Sequence, residues 1–255
     1  METKKQTTII AFSTQKGGVG KSTFTTIIAS ILHYRLGYNV AVFDCDFPQY
    51  SLMQMRERDL KTVMQNEALK KMAHKQFTSL KKKAYPIFQS GAETVLEELS
   101  EYQSTTEMIP DFIFLDLPGT VNTAGILSTL ANVHYIFSPI TADRVVLEST
   151  LSFTDVLTNV LMKKKQTEIK SIHLFWNQVD GREKTALYEN YSKVIKDLGL
   201  HLMKTSIRDS KRFRKEGETV AKTVFRSTLL PADLKLMAVC GLDHFIDEFL
   251  NIIKL

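Results

Sequence analysis

The sequence predicts a doubly wound, mostly parallel α/β sheet with helices on both faces, and three observations carry that expectation. Short apolar, β-branched runs alternate with stretches of helical period along the chain. A glycine-rich turn lies directly between the first such run and the first helical stretch. Two of the runs end in aspartate, at Asp44 and Asp116, and the C-terminal ends of parallel strands are where ligands bind in such sheets. With 255 residues, 44% of them hydrophobic, the chain can bury one large core, so a single domain over 1–255 is expected and global disorder is not.

The first strand is expected at Thr7–Phe12 and the first helix at Phe24–Leu36, stopped by Gly37. Between them stands Ser13-Thr14-Gln15-Lys16-Gly17-Gly18-Val19-Gly20-Lys21-Ser22-Thr23. A strand, a glycine-rich turn and a helix N-terminus make a phosphate cradle, because backbone N–H groups point inward and the helix dipole favours negative charge. In such a cradle Lys21 reaches the β- and γ-phosphates and the Ser22 hydroxyl sits on Mg²⁺. The usual pattern has glycine where this chain has Gln15, and a second lysine, Lys16, follows it.

A second strand, Asn39–Phe43, runs into Asp44-Cys45-Asp46-Phe47-Pro48-Gln49. Alternation puts Asp44 and Asp46 on one side, where they could position hydrated Mg²⁺ and an attacking water. Residues 53–103 turn polar and lysine-rich, with Lys70, Lys71, Lys75, Lys81, Lys82 and Lys83 crowded together, and read as a largely helical insertion whose charge mainly serves solubility. Phe112–Asp116 is a fully apolar strand whose aspartate would serve Mg²⁺ through a water, followed by the turn Leu117-Pro118-Gly119-Thr120. Further strands are expected at Val133–Phe137, Ser171–Trp176 and His201–Lys204, with helices at Asp143–Met162, Glu183–Leu198 and Ala232–Leu255. At the end of Ser171–Trp176, Asn177-Gln178-Val179-Asp180 admits a guanine-reading motif with glutamine in place of lysine, an adenine-reading asparagine, or a plain turn.

Lys-Gly-Gly-Val-Gly-Lys-Ser-Thr at 16–23 resembles the deviant phosphate loop of the ParA/MinD ATPases, and the two aspartate-ended strands and Asn177 extend the resemblance over nearly the whole chain. It implies ATP and Mg²⁺ as cofactors. Gln15, Lys16, Gly17, Gly18, Val19, Gly20, Lys21, Ser22, Thr23, Asn177 and Ile207 would contact nucleotide, and Ser22, Asp44 and Asp116 would serve the metal. It further implies catalytic roles for Lys16, Lys21 and Asp46, with Lys16 reaching into the partner subunit's site of an ATP-bound homodimer. The chain departs from the family pattern at Phe47, inserted before Pro48, at Tyr50-Ser51, and at Arg208, where proline is common. The motif lies near position 1, so the resemblance is to short ParA-like proteins, including those of conjugative elements, without an operator-binding extension.

In and around the stretch Thr205–Lys215 stand Lys204, Arg208, Lys211, Arg212, Arg214, Lys215, Lys222 and Arg226. Cations on one face would hold phosphates of any DNA sequence, and the resemblance implies nonspecific DNA contact here, with Arg208, Lys211, Arg212, Arg214, Lys215 and Lys222 as candidates. A ParB-like activator is the implied partner. The net charge of +5 fits anionic partners. Cys45 and Cys240, with no metal-like pairing, fit a reducing cytoplasm, the expected location, with nucleoid association in the ATP state. No stretch reaches the roughly 18 apolar residues of a membrane span, and the first residues do not read as a signal segment.

The expected function is thus an ATP-dependent, dimerising partition-type ATPase that positions or segregates DNA. A MinD-like membrane ATPase is the alternative, opposed by Asp243, Asp247 and Glu248 on the final helix, which would repel anionic lipid. A non-hydrolysing DNA-binding scaffold is the other. Iron–sulfur carriers of related type need paired cysteines, and related tyrosine kinases need a C-terminal tyrosine cluster; the last tyrosine here is Tyr191.

Overall fold

The computed structural model describes residues 6–119, 124–163, 167–182, 185–213 and 223–253. In chain order the elements are β1 (Thr8–Phe12), α1 (Lys21–Ser30), β2 (Val40–Asp44), α2 (Ser51–Gln65), α3 (Glu67–Leu80), β3 (Ile87–Gln89), α4 (Val95–Thr105), β4 (Phe112–Asp116), α5 (Ala124–Ala131), β5 (Tyr135–Ile140), α6 (Arg144–Asp155), β6 (Ser171–Trp176), α7 (Thr185–Asp197), β7 (His201–Leu202), α8 (Leu234–Cys240) and α9 (Leu242–Ile252). The strands form one seven-stranded sheet in the order β3-β2-β4-β1-β5-β6-β7, every pairing parallel. The predicted doubly wound sheet is therefore observed.

The sheet is buried on both faces, as its near-continuous apolar strands require. Alternation along β1 sends Ile10 and Phe12 into a core with α1 and α9, while Ala11 joins a second core beneath α4, α5 and α6. Phe12, the last residue of β1, is the hub of the first core. Its ring lies 5.7 Å from Phe24 of α1, 5.7 Å from Phe137 of β5 and 6.4 Å from Phe249 of α9. Aromatic contacts of this kind hold the first helix against the strand end, and so fix the loop between them.

Three expectations change. The final helix is two helices, α8 and α9, because Gly241 between them takes a left-handed φ of 80° that ends one and starts the other. The first helix begins at Lys21 rather than Phe24 and closes in a π-helical turn, Ile31–Arg35. The polar segment 53–103, expected as a largely helical insertion on the main domain, also contributes a strand: β3 pairs with β2 on the main sheet, and α4 sends Val95 and Leu99 into the second core. Strand pairing, not composition, settles where this segment belongs.

Leu242, Phe245, Ile246 and Phe249 of α9 are buried against the sheet, so its apolar face is covered by protein. Among the described residues no helix is long and apolar enough to cross a membrane. Phe249→Ala should lower unfolding free energy by about 3–5 kcal/mol, the usual cost of emptying a packed aromatic site. Urea denaturation measures this, and an unchanged midpoint would show that the helix does not help hold the core together.

Candidate phosphate-binding site

The loop Ser13–Gly20 is anchored before it turns. The Ser13 amide donates to the Phe137 carbonyl at 3.0 Å, the Ser138 hydroxyl donates to the Ser13 carbonyl at 2.7 Å, and the Thr14 and Thr150 hydroxyls lie 3.0 Å apart. Gly18 and Gly20 then adopt left-handed φ values of 76° and 102°. At Gly20 a side chain would also meet Asn177 Nδ2 at 3.1 Å and the Phe24 ring at 3.3 Å, so only glycine closes the loop onto both. The N-terminus of α1, with its unsatisfied amides, opens into a pocket lined by Gly17, Gly18, Lys21, Ser22, Asp46 and Asn177 among others.

Lys21 and Asp116 form the electrostatic centre. Burial lowers the Lys21 pKa, and Asp116 and Asp46 work against that shift. Asp116, fully buried at the end of β4, has its carboxyl pushed up to about 7 by burial and by Asp44, while the nearby Ser22 hydroxyl and Lys21 pull it down. Neither Asp116 oxygen has a hydrogen-bond partner of proper geometry among the described residues. Two buried acceptors without donors beside a serine hydroxyl suit a hydrated divalent cation, whose waters would donate to them. Gly119, just after β4, packs against the loop: a Cβ there would sit 3.1 Å from Lys21 Nζ and 3.3 Å from the Gly17 amide. The chain following Asp116 therefore touches the phosphate loop directly.

Of the expected residues, Gly17, Gly18, Gly20, Lys21, Ser22, Thr23, Asp46 and Asn177 line the pocket, while Lys16 and Val19 are in the loop without lining it and Asp116 is buried beside Lys21 and Ser22. The carbonyl of half-buried Lys16 accepts from Lys21 Nζ at 3.4 Å. Asn177 is buried, donates from Nδ2 to the Val19 carbonyl at 2.8 Å and keeps its Oδ1 without a partner among the described residues, an acceptor suited to an amino group. Gln15, half-buried, is in the loop but does not line the pocket.

Two expected ligand residues do not line the pocket. Asp44 caps α2 through one oxygen, its Oδ2 accepting from the Leu52 and Met53 amides at 2.9 and 3.0 Å, and its Oδ1 is buried with no partner among the described residues. Ile207 is fully buried in the first core and does not line the pocket; its amide donates to the Trp176 carbonyl at 2.8 Å, next to Asn177.

Other residues of the pocket escaped the sequence reading: Gln49, Gln178, Asp209, Phe213 and Arg226 all line it. Arg226 had been grouped with the basic surface stretch, and its side chain instead turns inward. No spacing signal could have shown this, since its contacts come from residues far away in sequence. Of the DNA candidates, Arg208 and Lys211 are exposed. The Arg212 side chain and Arg214, Lys215 and Lys222 lie outside the described residues.

Residues 10–221 match the model of the CobQ/CobB/MinD/ParA nucleotide-binding domain. Among curated proteins none matches the sequence. Among solved structures, a protein of Borrelia burgdorferi B31 assigned to plasmid partition and bound to AMPPNP superposes with a TM-score of 0.60 at 18% identity, covering 97% of this chain and 99% of that one. pNOB8 ParA bound to nonspecific DNA gives a TM-score of 0.53 at 21% identity over 78% of this chain and 80% of its own. Cobyrinic acid a,c-diamide synthase from Mycobacterium smegmatis with ADP and magnesium gives 0.51 at 20% identity over 85% and 91%. At these identities the likeness is one of fold.

An acid whose folded pKa lies above its unfolded value keeps its proton in the fold. Its contribution is fullest below about pH 4, falls as pH rises toward about 7, and is then constant. Without nucleotide or metal the protein should thus lose stability between about pH 5 and pH 7, and Asp116→Asn should flatten that slope. Urea midpoints of both proteins across this range check it, and parallel slopes would count against a proton on Asp116.

Proposed function

The chain belongs to the CobQ/CobB/MinD/ParA nucleotide-binding family, and we propose that it is a partition-type ATPase that dimerises on ATP, holds DNA without regard to sequence, and releases it after hydrolysis. The observation that carries the reading is the convergence on Lys21, which lines the pocket, of the Lys16 carbonyl, of Gly119 just after β4, and of the buried Asp116, whose oxygens have no donor among the described residues. A generic nucleotide site has no need of Lys16 beside Lys21.

The phosphates of ATP would lie across the α1 amides, with Lys21 toward the β/γ end and the Asn177 Oδ1 accepting from the adenine amino group. Ser22 and Asp116 would hold Mg²⁺, which neutralises charge on the phosphates as it does at related sites. Asp46, half-buried and lining the pocket, would orient the attacking water. The loop at Pro118-Gly119 touches both Lys21 and the loop backbone, so a γ-phosphate there would be felt by the segment after β4. Lys16, by this reading, completes the site of a second copy and stabilises charge on the transferring phosphoryl group.

The basic side chains of two subunits would act together in the dimer, so DNA affinity would follow the nucleotide state through avidity. Support comes from the exposed Arg208 and Lys211, the net charge, and the fold shared with a ParA bound to nonspecific DNA. A ParB-like activator and a nucleoid-associated cytoplasmic location belong to the same proposal. The membrane alternative is disfavoured by the buried apolar face of α9.

Lys16→Ala should leave ATP binding nearly unchanged while lowering turnover by about 10³–10⁵, the range of a finger supplied in trans. Lys21→Ala should lose ATP binding itself. Turnover unaffected by the Lys16 change would remove the trans-lysine mechanism. DNA binding by the wild-type protein, compared without nucleotide, with ADP and with a nonhydrolysable ATP analogue, should occur only with the analogue and weaken steeply with salt. Equal binding in all three states would refute the switch.

A further inference from the structure

Arg226, in the segment 224–230, lines the same pocket as the phosphate loop. Arg226 Nη1 donates to Thr23 Oγ1 at 2.6 Å, across 203 residues of sequence. The loop that delivers it is clamped on several sides. Arg56 of α2 donates to Thr228 Oγ1 at 2.9 Å and to the Thr228 carbonyl at 3.1 Å, and Asp59 accepts from the Thr228 amide and hydroxyl at 2.6 and 2.7 Å. The Tyr34 hydroxyl donates to the Thr228 carbonyl at 2.8 Å, and Gln76 of α3 donates to the Leu229 carbonyl at 2.9 Å. The Ser30 hydroxyl holds the Ser227 carbonyl at 2.5 Å. Such a density of bonds to one short segment fixes the guanidinium before any ligand arrives, which reduces the ordering cost of binding.

Arg226 lines the same pocket as Lys21 and Gly17 of the phosphate loop and as Asn177, Asp209 and Phe213 outside that loop. Thr23, which Arg226 touches, is the third residue of α1, so its amide belongs to the unpaired first turn that receives anionic groups. Burial and the nearby Arg58 both disfavour charge on Arg226, and Asp59, which favours it, is engaged with Thr228. A buried guanidinium in such surroundings gains most from a polyanion, and its planar fork matches phosphate oxygens.

We propose that Arg226 binds the phosphate nearest the nucleoside, the α-phosphate, of the nucleotide held in this pocket. The inference rests on the reading that the pocket holds ATP. Arg226 is then a phosphate-binding residue common to the ATP and ADP states, distinct from Lys16, which serves only the triphosphate. Its support by α2 and α3 gives the lysine-rich segment a part in holding nucleotide.

The test is calorimetric titration of ATP, ADP and AMP, each with Mg²⁺, into wild type, Arg226→Met and Arg226→Lys, with adenosine followed by ligand-observed NMR. Arg226→Met should weaken ATP, ADP and AMP by a similar factor, about 10- to 100-fold, as expected for losing a charge-assisted phosphate contact. Arg226→Lys, which keeps charge without the fork, should lose about 10-fold for each. Adenosine should bind all three proteins alike. Melting without nucleotide separates lost folding from lost contact, and if Arg226→Met does not fold, the lysine variant decides alone. Loss confined to ATP, equal loss for adenosine, or no loss at all would each overturn the assignment. Wild-type protein that binds no ATP would instead overturn the site reading on which it rests.

Discussion

A lysine and a carboxylate buried together at the C-terminal edge of the sheet set the terms for the rest of this molecule. Lys21 opens α1 and Asp116 closes β4, so two elements distant in sequence must be held in register for the charges to face one pocket. Burial acts against both charges: it lowers the lysine and raises the aspartate, and each partly relieves the other. The relief is incomplete, since the Asp116 oxygens lack donors among the described residues. Such a site is more favourable with a hydrated cation and phosphates in it than without them, which is how a nucleotide can hold two such elements in one arrangement.

The aromatic core is the frame for that arrangement. Phe12 ends β1 just before the loop and Phe24 lies one turn into α1 just after it, and their rings meet 5.7 Å apart. The loop is thereby pinned at both ends by packing, while its backbone between them is set by the left-handed glycines and the bonds to β5. α9 covers the same core from the far end of the chain, with the rings of Phe245 and Phe249 packed at a tilt against Phe175 and Phe137. The C-terminal helix thus stabilises the nucleotide pocket from behind.

Charge on the surface and charge in the pocket follow different rules here. Exposed cations such as Arg208 and Lys211 stay hydrated and cost little. Arg226 is desolvated, and its position depends on Arg56, Asp59, Tyr34 and Gln76 gripping the segment that carries it. The lysine-rich stretch after β2 is the source of three of these, and so serves the site while presenting its lysines outward.

The sequence by itself determined the parallel sheet, the phosphate loop, the strand-end Asp116 and the wall residue Asn177, because each depends on local periodicity or on fixed spacing between neighbours. Glycines needed at positive φ and a strand ending in a carboxylate leave their mark within a dozen residues. Only the tertiary structure decided that Asp44 caps a helix, that Ile207 is core, that β3 joins the sheet, and that Arg226 turns inward to Thr23. Those outcomes depend on which distant backbone group or side chain comes within hydrogen-bond reach. Composition and period describe a residue's own neighbourhood along the chain, and carry no information about partners brought to it by the closing of the sheet.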